Sequence, residues 1–308
     1  MAEGKRYDLV IVGAGPAGLT AAIYAARYKL DSVVIGPDVG GTANLPHDIE
    51  NWPGFKGAGW DLMAKFREHV ESFGVQIVTE DVKSIEKKAD HFAVSTEKNR
   101  YNASTVLLAM GTKRRKLDVP GEEELFGKGV SYCATCDCVF FKDKVVGVVG
   151  GADAAAMAAQ ILSQHAKKVY IIYRKDKMRA EPARVEELEN DPKVEFVYNA
   201  NVTEIVGDSK LDKVKLDTGN EMELDGLFIE IGGIPITSLA KELGIDLSDS
   251  QRIKVNAAME TNVHGVFAAG DITTGSNQFN QIVTASAEGA LAALASFNYI
   301  RKHKVKGK

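Results

Sequence analysis

The sequence predicts an α/β protein with two Rossmann-like, three-layer nucleotide-binding domains, each carrying a small antiparallel insert. Two observations support this fold class. A buried, β-branched strand runs into a glycine-rich turn and an alanine-rich helix near residue 13, and the same order recurs near residue 150. Strand, turn, helix and strand in this order are typical of parallel sheets that bind dinucleotides. The repeat therefore indicates two such units in one chain.

Composition limits the function classes that need to be considered. The chain has 308 residues, of which 45% are hydrophobic and 26% are charged. This length is sufficient for two domains with their own cores. A net charge of -4 gives no reason to expect nucleic acid or an anionic membrane as a partner. The apolar runs are too short to span a bilayer, and residues 1–8 lack the apolar core of a signal peptide. With three clustered cysteines, the expected compartment is the reducing cytoplasm.

The first unit opens with the strand Tyr7–Val12 and the turn G-A-G-P-A-G at 13–18. Its first glycine permits a tight turn, the second lets a pyrophosphate approach the backbone, and the third lets the helix lie close to the strand. The helix Leu19–Tyr28 follows, and its N-terminus would offer unpaired N–H groups and a positive dipole end to phosphates. The second strand ends at Ile35, without the acidic residue that many such units carry for the ribose.

The remainder of the first half alternates between predicted helix and strand. Residues 61–73 have helical spacing, and a further strand covers residues 75–78. The segments Val82–Ile85, His91–Ser95 and Tyr101–Ala109 alternate like strands of a small antiparallel insert. The last strand leads to Gly111, where the backbone could again approach a cofactor. The segment E-N-W-P-G at 50–54 is interpreted as a loop held by a buried tryptophan and a proline.

All three cysteines lie in one window, C-A-T-C-D-C at 133–138. Two thiols separated by two residues can close a disulfide, and that pair can store and release two electrons. The same spacing also occurs in zinc sites. Structural zinc usually takes four Cys or His ligands, often as two separated pairs, and this chain has no second cysteine pair. Electron transfer and metal binding both remain open at this point.

The second unit follows the cysteine window. Residues 139–149 predict a hairpin that leads into a parallel strand, and the strand ends in G-G-A-D-A-A at 150–155. Ala152 stands where the middle glycine is expected, and its Cβ would crowd an approaching phosphate. The partner strand Val169–Tyr173 is followed by the basic run R-K-D-K-M-R. Those cations suit a ribose 2′-phosphate, and a solvated basic loop is an equal alternative.

The C-terminal part returns to a nucleotide-binding pattern after a helix at 182–189 and strands at 194–198, 202–206, 211–216 and 227–231. The short strand V-F-A-A-G-D at 266–271 ends in Gly-Asp. The aspartate could accept a hydrogen bond from a hydroxyl of a polyol chain, or it could be a turn aspartate. Residues 281–295 predict a helix with many small residues, whose slim face could pack against a cofactor or a sheet.

With these motifs in this order, the chain resembles the low-molecular-weight thioredoxin reductases over nearly its whole length. The resemblance implies a discontinuous FAD-binding domain, residues 1–114 with 240–308, and an inserted pyridine-nucleotide domain, residues 115–239, that carries the redox motif. It implies electron transfer from NADPH through FAD to a thioredoxin- or glutaredoxin-like protein. It also implies a homodimer and hinges near residues 114–116 and 237–239.

The resemblance also assigns cofactor contacts. Those implied for FAD are Gly13, Gly15, Pro16, Ala17, Gly18, Gly40, Gly41, Thr42, Asn51, Val82, Gly111, Gly270, Asp271, Gln281 and Ile282. Those implied for NADPH are Gly151, Asp153, Ala154, Arg174, Lys175 and Arg179. No metal site is expected.

The resemblance assigns three catalytic residues. The disulfide of Cys133 and Cys136 would receive two electrons from FAD, with Cys136 next to the isoalloxazine and Cys133 the outer thiol that attacks thioredoxin. Exchange needs a thiolate, so a lowered thiol pKa would help. Asp137 would protonate the leaving thiolate. A structural cap or an exposed acid is the alternative for Asp137.

The departures from the family pattern cluster around the nicotinamide nucleotide. Ala152 replaces the middle glycine, Met157-Ala158 replace paired glutamates, Tyr173-Arg174-Lys175 replace His-Arg-Arg, and Asn280 replaces arginine. This clustering suggests weakened or altered donor choice. The rival hypotheses are a donor such as ferredoxin or a reduced deazaflavin, a dithiol oxidase, and a zinc-binding or redox-sensing module. Cys138 replaces a glycine and is either an inert buried thiol or a third redox partner.

Overall fold

A computed structural model describes residues 5–45 and 49–306, without the side chains of residues 135, 136, 278 and 304–306. The chain forms two compact units. The first, called the discontinuous unit, comprises Met1–Lys113 with Pro235–Lys308, and the second, called the inserted unit, comprises Arg114–Ile234.

The helices and strands follow one another along the two units in a fixed order. Up to the crossing into the inserted unit they are β1 (Arg6–Val12), α1 (Pro16–Arg27), β2 (Ser32–Ile35), β3 (Ile49–Trp52), β4 (Phe55–Gly57), α2 (Gly59–Ser72), β5 (Gln76–Val78), β6 (Val82–Lys87), β7 (Phe92–Thr96), β8 (Arg100–Leu108) and β9 (Thr112–Arg114). The inserted unit continues with β10 (Val130–Ser131), α3 (Ala134–Asp137), β11 (Val145–Val149), α4 (Asp153–His165), β12 (Lys168–Tyr173), α5 (Pro182–Glu189), β13 (Val194–Tyr198), β14 (Val202–Val206), β15 (Lys213–Leu216), β16 (Glu221–Glu223) and β17 (Gly226–Ile229). The return crossing and the C-terminal segment contain β18 (Gly233–Pro235), α6 (Ser238–Glu242), β19 (Val266–Ala268) and α7 (Ile282–Lys306).

The discontinuous unit is built on a seven-stranded sheet in the order β5-β2-β1-β8-β7-β6, with β19 also beside β8. Leu9, Val10 and Ile11 of β1 are fully buried, as expected for a central parallel strand covered on both faces. Helix α1 packs against α7 on one face. Strand β8 pairs in parallel with β1 and β19 and antiparallel with β7. The expected antiparallel insert is therefore continuous with the main sheet, because one long strand serves both.

The inserted unit holds a five-stranded parallel sheet in the order β10-β17-β11-β12-β13, together with a separate antiparallel sheet, β14-β15-β16. The alanines of α4 let this helix lie close to the sheet, and Ala155, Ala156 and Ala159 are fully buried. The predicted α/β fold class is confirmed.

From β11 the chain moves outward through β12 to β13 and then returns to β17 on the other side of β11. The direction of winding therefore changes between β11 and β17.

Several local predictions differ from the structure. Residues 138–141 form a 3₁₀ helix and not a strand. Phe141 packs edge-on against Phe228 with ring centroids 5.1 Å apart, while Val139 and Phe140 face outward. The segment predicted as a loop around Trp52 is the hairpin of β3 and β4. The last helix also continues past the predicted end at residue 295.

Candidate active site

Two glycines of the first turn are required by the fold itself. Gly13 has a φ of +112°, and a Cβ built on it would lie 2.2 Å from the carbonyl oxygen of Ala109. A Cβ on Gly18 would lie 1.9 Å from the carbonyl oxygen of Gly13. Both contacts are with backbone atoms that cannot move aside. These positions therefore fix how α1 joins the sheet, with or without a ligand.

Gly15 is different, because nothing in the protein requires a glycine there. Its φ of -79° suits any residue, and the nearest atom to an added Cβ is the Gly40 carbonyl oxygen at 4.0 Å. Gly15 precedes α1, whose first residue is Pro16 and whose N-terminus has no side-chain cap. Open space beside uncapped N–H groups is what a pyrophosphate needs. The turn therefore fits the phosphates of a dinucleotide such as FAD.

The other glycine segments lie beside this turn. The Gly40 N–H donates to the Ala14 carbonyl at 2.7 Å, and a Cβ on Gly41 would lie 3.6 Å from the Gly15 Cα. A Cβ on Gly270 would lie 3.1 Å from that of Ala17. Three segments that are distant in the sequence therefore meet at the carboxyl edge of the sheet.

The remaining residues assigned to FAD lie on several elements of the discontinuous unit. The Asn51 side-chain amide N–H donates to the side-chain Oε1 of Gln281 at 2.8 Å, which joins two assigned residues that are 230 positions apart. Ile282 begins α7, and Gly111 follows β8 with a φ of +64° and open space around an added Cβ. Thr42 is exposed in the 3₁₀ turn at 41–44, and Val82 begins β6, the terminal strand of the sheet beyond β7.

A buried glutamate that the sequence analysis missed supports the Gly-Asp turn. Glu288 is 4% exposed and accepts hydrogen bonds from the Gly270 N–H at 2.8 Å and the Thr273 hydroxyl at 2.9 Å. Burial raises the pKa of Asp271, the Arg252 guanidinium opposes that shift, and the Glu288 charge adds to it. The small-residue run A-S-A-E-G-A offers one signal, since an acid is unexpected on such a helix face.

We expect Glu288→Ala to destabilise the turn that carries Asp271. The substitution leaves the Gly270 N–H and the Thr273 hydroxyl without their acceptor in a buried place, at a cost of about 3 kcal/mol. The free energy of unfolding of the FAD-free protein should fall by that amount, as measured by urea denaturation. The exposed Glu242→Ala on α6 is the control and should change it by less than about 0.5 kcal/mol. Equal stabilities of the two variants would contradict this role.

In the inserted unit, Cys133 is disulfide-bonded. The side chain of Cys136, in α3, lies outside the described residues. The Cys133 N–H donates to the Ser131 hydroxyl oxygen at 3.0 Å, and that hydroxyl donates to the Asp137 carboxylate at 2.6 Å. The Asp137 N–H donates to the Cys133 carbonyl at 3.2 Å. Ser131, which the sequence analysis missed, therefore holds the Asp137 carboxylate against the first cysteine of the window.

Glu122, a second buried acid that the sequence analysis missed, holds the side chain of Tyr132, the residue before Cys133. Glu122 is 2% exposed and accepts hydrogen bonds from the Tyr132 hydroxyl at 2.6 Å and from the N–H groups of Leu117 and Asp118. Burial and the bond to Glu122 raise the pKa of Tyr132. The cysteine window is thus anchored to the loop at 117–118. No spacing rule identifies such a contact in advance.

Cys138 packs inside the inserted unit, away from solvent. It is 3% exposed and belongs to a hydrophobic cluster with Phe141 and Phe228. Burial raises the pKa of its thiol. Because the thiolate is the nucleophile, this environment gives a poorly reactive cysteine.

We therefore expect Cys138→Ala to retain disulfide-reductase turnover within about twofold of the original, because a buried, protonated thiol contributes little to exchange. Steady-state turnover with a protein disulfide measures this. The matched substitution Cys133→Ala should be inactive in the same assay. Loss of most activity in Cys138→Ala, with its fold intact by circular dichroism, would show that Cys138 takes part in the reaction.

The glycine turn of the inserted unit is partly filled by its own side chains. Gly150 has a φ of +150°, and a Cβ on Gly151 would lie 2.4 Å from the Tyr173 ring. In the strand register, Tyr173 corresponds to Gly36 of the other unit, because Val149 pairs with Ile172 as Val12 pairs with Ile35. The two turns therefore have different surroundings.

The residues assigned to NADPH lie at this turn. The Arg179 N–H donates to the Gly151 carbonyl at 2.7 Å, which folds the basic loop onto the turn. The Asp153 carboxylate accepts from the Glu181 N–H at 2.7 Å. Of the residues assigned to NADPH, Ala154, Arg174, Lys175 and Arg179 are exposed. Over the described part of the chain, no cluster of three His, Cys, Asp or Glu residues is arranged to hold a metal ion.

Comparisons with known proteins agree on one family. The family model for pyridine nucleotide-disulphide oxidoreductases matches residues 7–289. The chain is 39% identical to the thioredoxin reductase of Bacillus subtilis over 98% of this chain and 97% of that protein. The crystal structure of Lactococcus lactis thioredoxin reductase in its FR conformation matches with a TM-score of 0.92 at 35% identity, covering 96% of this chain and 99% of that one. The structure of T. acidophilum thioredoxin reductase matches with a TM-score of 0.90 at 39% identity, over 95% and 98% of the two chains. The chain therefore belongs to the pyridine nucleotide-disulphide oxidoreductases and, within them, to the thioredoxin reductases.

Proposed function

We propose that this protein transfers electrons from NADPH, through FAD in the discontinuous unit, to a disulfide of Cys133 and Cys136 and on to a thioredoxin- or glutaredoxin-like protein. The observation that supports this most directly is the pair of hydrogen bonds by which the Ser131 hydroxyl joins the Cys133 N–H to the Asp137 carboxylate. It combines a disulfide-bonded cysteine with a fixed carboxyl group, the two functions that thiol–disulfide exchange requires.

The discontinuous unit offers the groups that would hold FAD. The backbone at Gly15 and the start of α1 would take the pyrophosphate, and Asp271 would accept a hydrogen bond from a hydroxyl of the ribityl chain. Asn51 and Gln281 would contribute amide groups. Bound FAD would supply a two-electron carrier between the nucleotide donor and the disulfide.

The chemistry of the cysteines follows from their order. The Cys133 thiolate attacks one sulfur of the partner disulfide, and the other partner sulfur leaves as a thiolate that receives a proton from Asp137. The Cys136 thiol gives its proton to the now ionised Asp137 and attacks the mixed disulfide at the Cys133 sulfur, and the second partner sulfur leaves as a thiolate that takes up this proton. This step releases the reduced partner and restores the Cys133–Cys136 disulfide. Ser131 acts as a positioning residue because its hydroxyl holds the Asp137 carboxyl group.

For the electron donor, the structure supports a second candidate besides NADPH. Arg174, Lys175 and Arg179 supply exposed cations beside the glycine turn, which favours a phosphorylated nucleotide such as NADPH. Ala152 and the Tyr173 ring crowd the same turn, which favours a different donor, such as a reduced ferredoxin or deazaflavin, feeding the same disulfide.

Anaerobic stopped-flow spectroscopy of the FAD-loaded protein distinguishes these donors. We expect NADPH at micromolar concentration to bleach the flavin absorbance and to support reduction of thioredoxin. Bleaching by reduced ferredoxin or deazaflavin and none by NADPH would select the second candidate. Oxygen consumption on addition of a small dithiol, without reduction of any thioredoxin, would instead identify a dithiol oxidase.

An exposed apolar surface beside the cysteines suits a protein partner. Val139 and Phe140 are 59% and 69% exposed and follow the window directly. Aromatic residues at such positions commonly anchor interfaces. We expect Phe140→Ala to raise the KM for thioredoxin about tenfold, a loss of about 1.4 kcal/mol, while turnover with a small disulfide stays unchanged. The control Phe73→Ala removes another exposed aromatic, and a KM equal to that of this control would exclude Phe140 from docking.

We also propose a cytoplasmic homodimer. Helix α7 exposes Val283, Leu291 and Leu294 at helical spacing, an apolar stripe suited to a second copy of the chain. Sedimentation velocity would test this. Within the described residues, no helix is long and apolar enough to cross a bilayer.

A further inference from the structure

Glu230 lies where the winding of the inserted sheet changes direction. It follows the last residue of β17, and its N–H donates to the Val149 carbonyl of β11 at 2.8 Å. A Cβ on Gly150, the first glycine of the turn, would lie 2.3 Å from the Glu230 carbonyl oxygen. In open α/β sheets, ligands bind at the carboxyl ends of the strands beside such a change of direction. Glu230 therefore belongs to the nucleotide crevice of this unit.

The Glu230 carboxylate is largely buried and is paired with Arg114. Its side chain is 14% exposed, and the Arg114 guanidinium lies 3.2 Å from Oε1 with 32% exposure. Burial raises the pKa of Glu230 to about 7, and Arg114 opposes that shift. Among the described residues, Arg114 is the one charged group that acts on this carboxylate. Arg114 therefore keeps the pKa of Glu230 lower than burial alone would leave it.

Arg114 is also well located to bind a phosphate. The next residue, Arg115, donates its N–H to the Gly232 carbonyl at 2.9 Å, which fastens this segment beside the end of β17. Ala152 replaces the glycine that would let a pyrophosphate approach the backbone of the turn. Binding of a pyrophosphate here therefore depends more on side-chain cations than it does in the discontinuous unit. A guanidinium matches phosphate oxygens in pairs.

We propose that Arg114 and Glu230 exchange partners when a pyridine dinucleotide binds: the pyrophosphate takes over the Arg114 guanidinium, and Glu230 binds one proton from solvent. This inference rests on the proposed nucleotide donor. The charges balance, because the phosphate replaces the carboxylate as the anion beside Arg114, and the buried carboxylate becomes neutral.

The sign of the pH dependence follows from the pKa. Without its cation, Glu230 keeps the desolvation that raises its pKa and loses the charge that lowers it, so its pKa lies higher in the complex. Above pH 7, binding then takes up as much as one proton, and the Kd rises by as much as tenfold per pH unit until the pKa of the complex is passed. Below pH 7, Glu230 is already protonated in both states and the dependence disappears.

Isothermal titration calorimetry with NADP⁺ tests this on the FAD-loaded, oxidised protein. Titrations at pH 7 to 9, in buffers of different ionisation enthalpy, count the protons taken up, and this range avoids the 2′-phosphate, which titrates at about 6. We expect proton uptake near pH 8 in the original protein. Glu230→Gln should show no uptake and a Kd independent of pH, and Arg114→Ala should bind about tenfold more weakly without uptake. The control Glu204→Gln breaks an exposed pair with Lys215 and should behave as the original.

Each outcome decides the inference. Binding of NADP⁺ without proton uptake, or with the same uptake in Glu230→Gln, overturns the exchange and leaves NADPH as a possible donor. Absence of NADP⁺ binding overturns the donor and the exchange together. The proton count on the unmodified protein decides even where a variant fails to fold.

Discussion

Cys133→Ser should lower thioredoxin reduction by at least about 1,000-fold, the loss seen when a covalent nucleophile is removed. A serine hydroxyl is far less ionised than a thiol and cannot form a mixed disulfide, so the exchange stops at its first step. The donor and FAD parts of the relay do not use this sulfur. Bleaching of the flavin by NADPH should therefore proceed as in the original protein.

The experiment needs both readouts and a matched cysteine. Cys138→Ser removes a thiol five positions along the chain, in a buried hydrophobic cluster, and should keep most of the thioredoxin activity. Flavin bleaching in all three proteins would show that each is folded and loaded. Full thioredoxin turnover in Cys133→Ser would contradict its assignment as the attacking thiol, and loss in both variants would point to a shared structural effect.

Gly13→Ala should lower the stability of the protein, and Gly15→Ala should lower its affinity for FAD. Gly13 has a positive φ and backbone atoms where the methyl group would lie, so its replacement should destabilise the FAD-free protein by about 4 kcal/mol. Gly15 has an ordinary φ and open space, so its replacement should leave that stability unchanged within about 0.5 kcal/mol. The methyl group that this substitution adds at position 15 would instead hold the pyrophosphate away from the backbone. We expect the Kd for FAD to rise about 100-fold, or about 2.7 kcal/mol.

Urea denaturation of the FAD-free proteins and FAD titration by fluorescence measure the two effects separately. A Gly15→Ala protein with unchanged FAD affinity would show that the first turn does not hold the pyrophosphate. A Gly13→Ala protein as stable as the original would show that the backbone relaxes more easily than its contacts indicate. Gly74→Ala, on a glycine with positive φ and open surroundings, separates the cost of the φ angle from that of the collision.

The sequence predicted the features that arise from local patterns. Strand, turn and helix at 7–28 and again at 145–165 depend on residues close in the chain, and the fold class followed from their repetition. The 3₁₀ helix at 138–141 was missed because three adjacent apolar residues also suit a strand, and only the packing of Phe141 against Phe228 decides between the two.

The parts of the site that were missed depend on contacts between distant residues. Glu288 accepts a hydrogen bond from a turn 18 positions away, and Glu230 pairs with an arginine 116 positions away. Neither contact leaves a periodic signal. Ser131 lies close to Cys133, yet a serine two positions before a cysteine carries no information until the strand and helix around it are folded. Buried acids can be recognised only when the groups that pay for their burial are known.

Differential alkylation with peptide mass mapping tests whether Cys133 and Cys136 form the disulfide that accepts electrons. In the oxidised, FAD-loaded protein, only Cys138 should be labelled after denaturation. After anaerobic reduction with NADPH or another competent donor, labels should appear on Cys133 and Cys136 as well. A label on Cys133 before reduction, or a disulfide that includes Cys138, would exclude the Cys133–Cys136 pair as the electron acceptor.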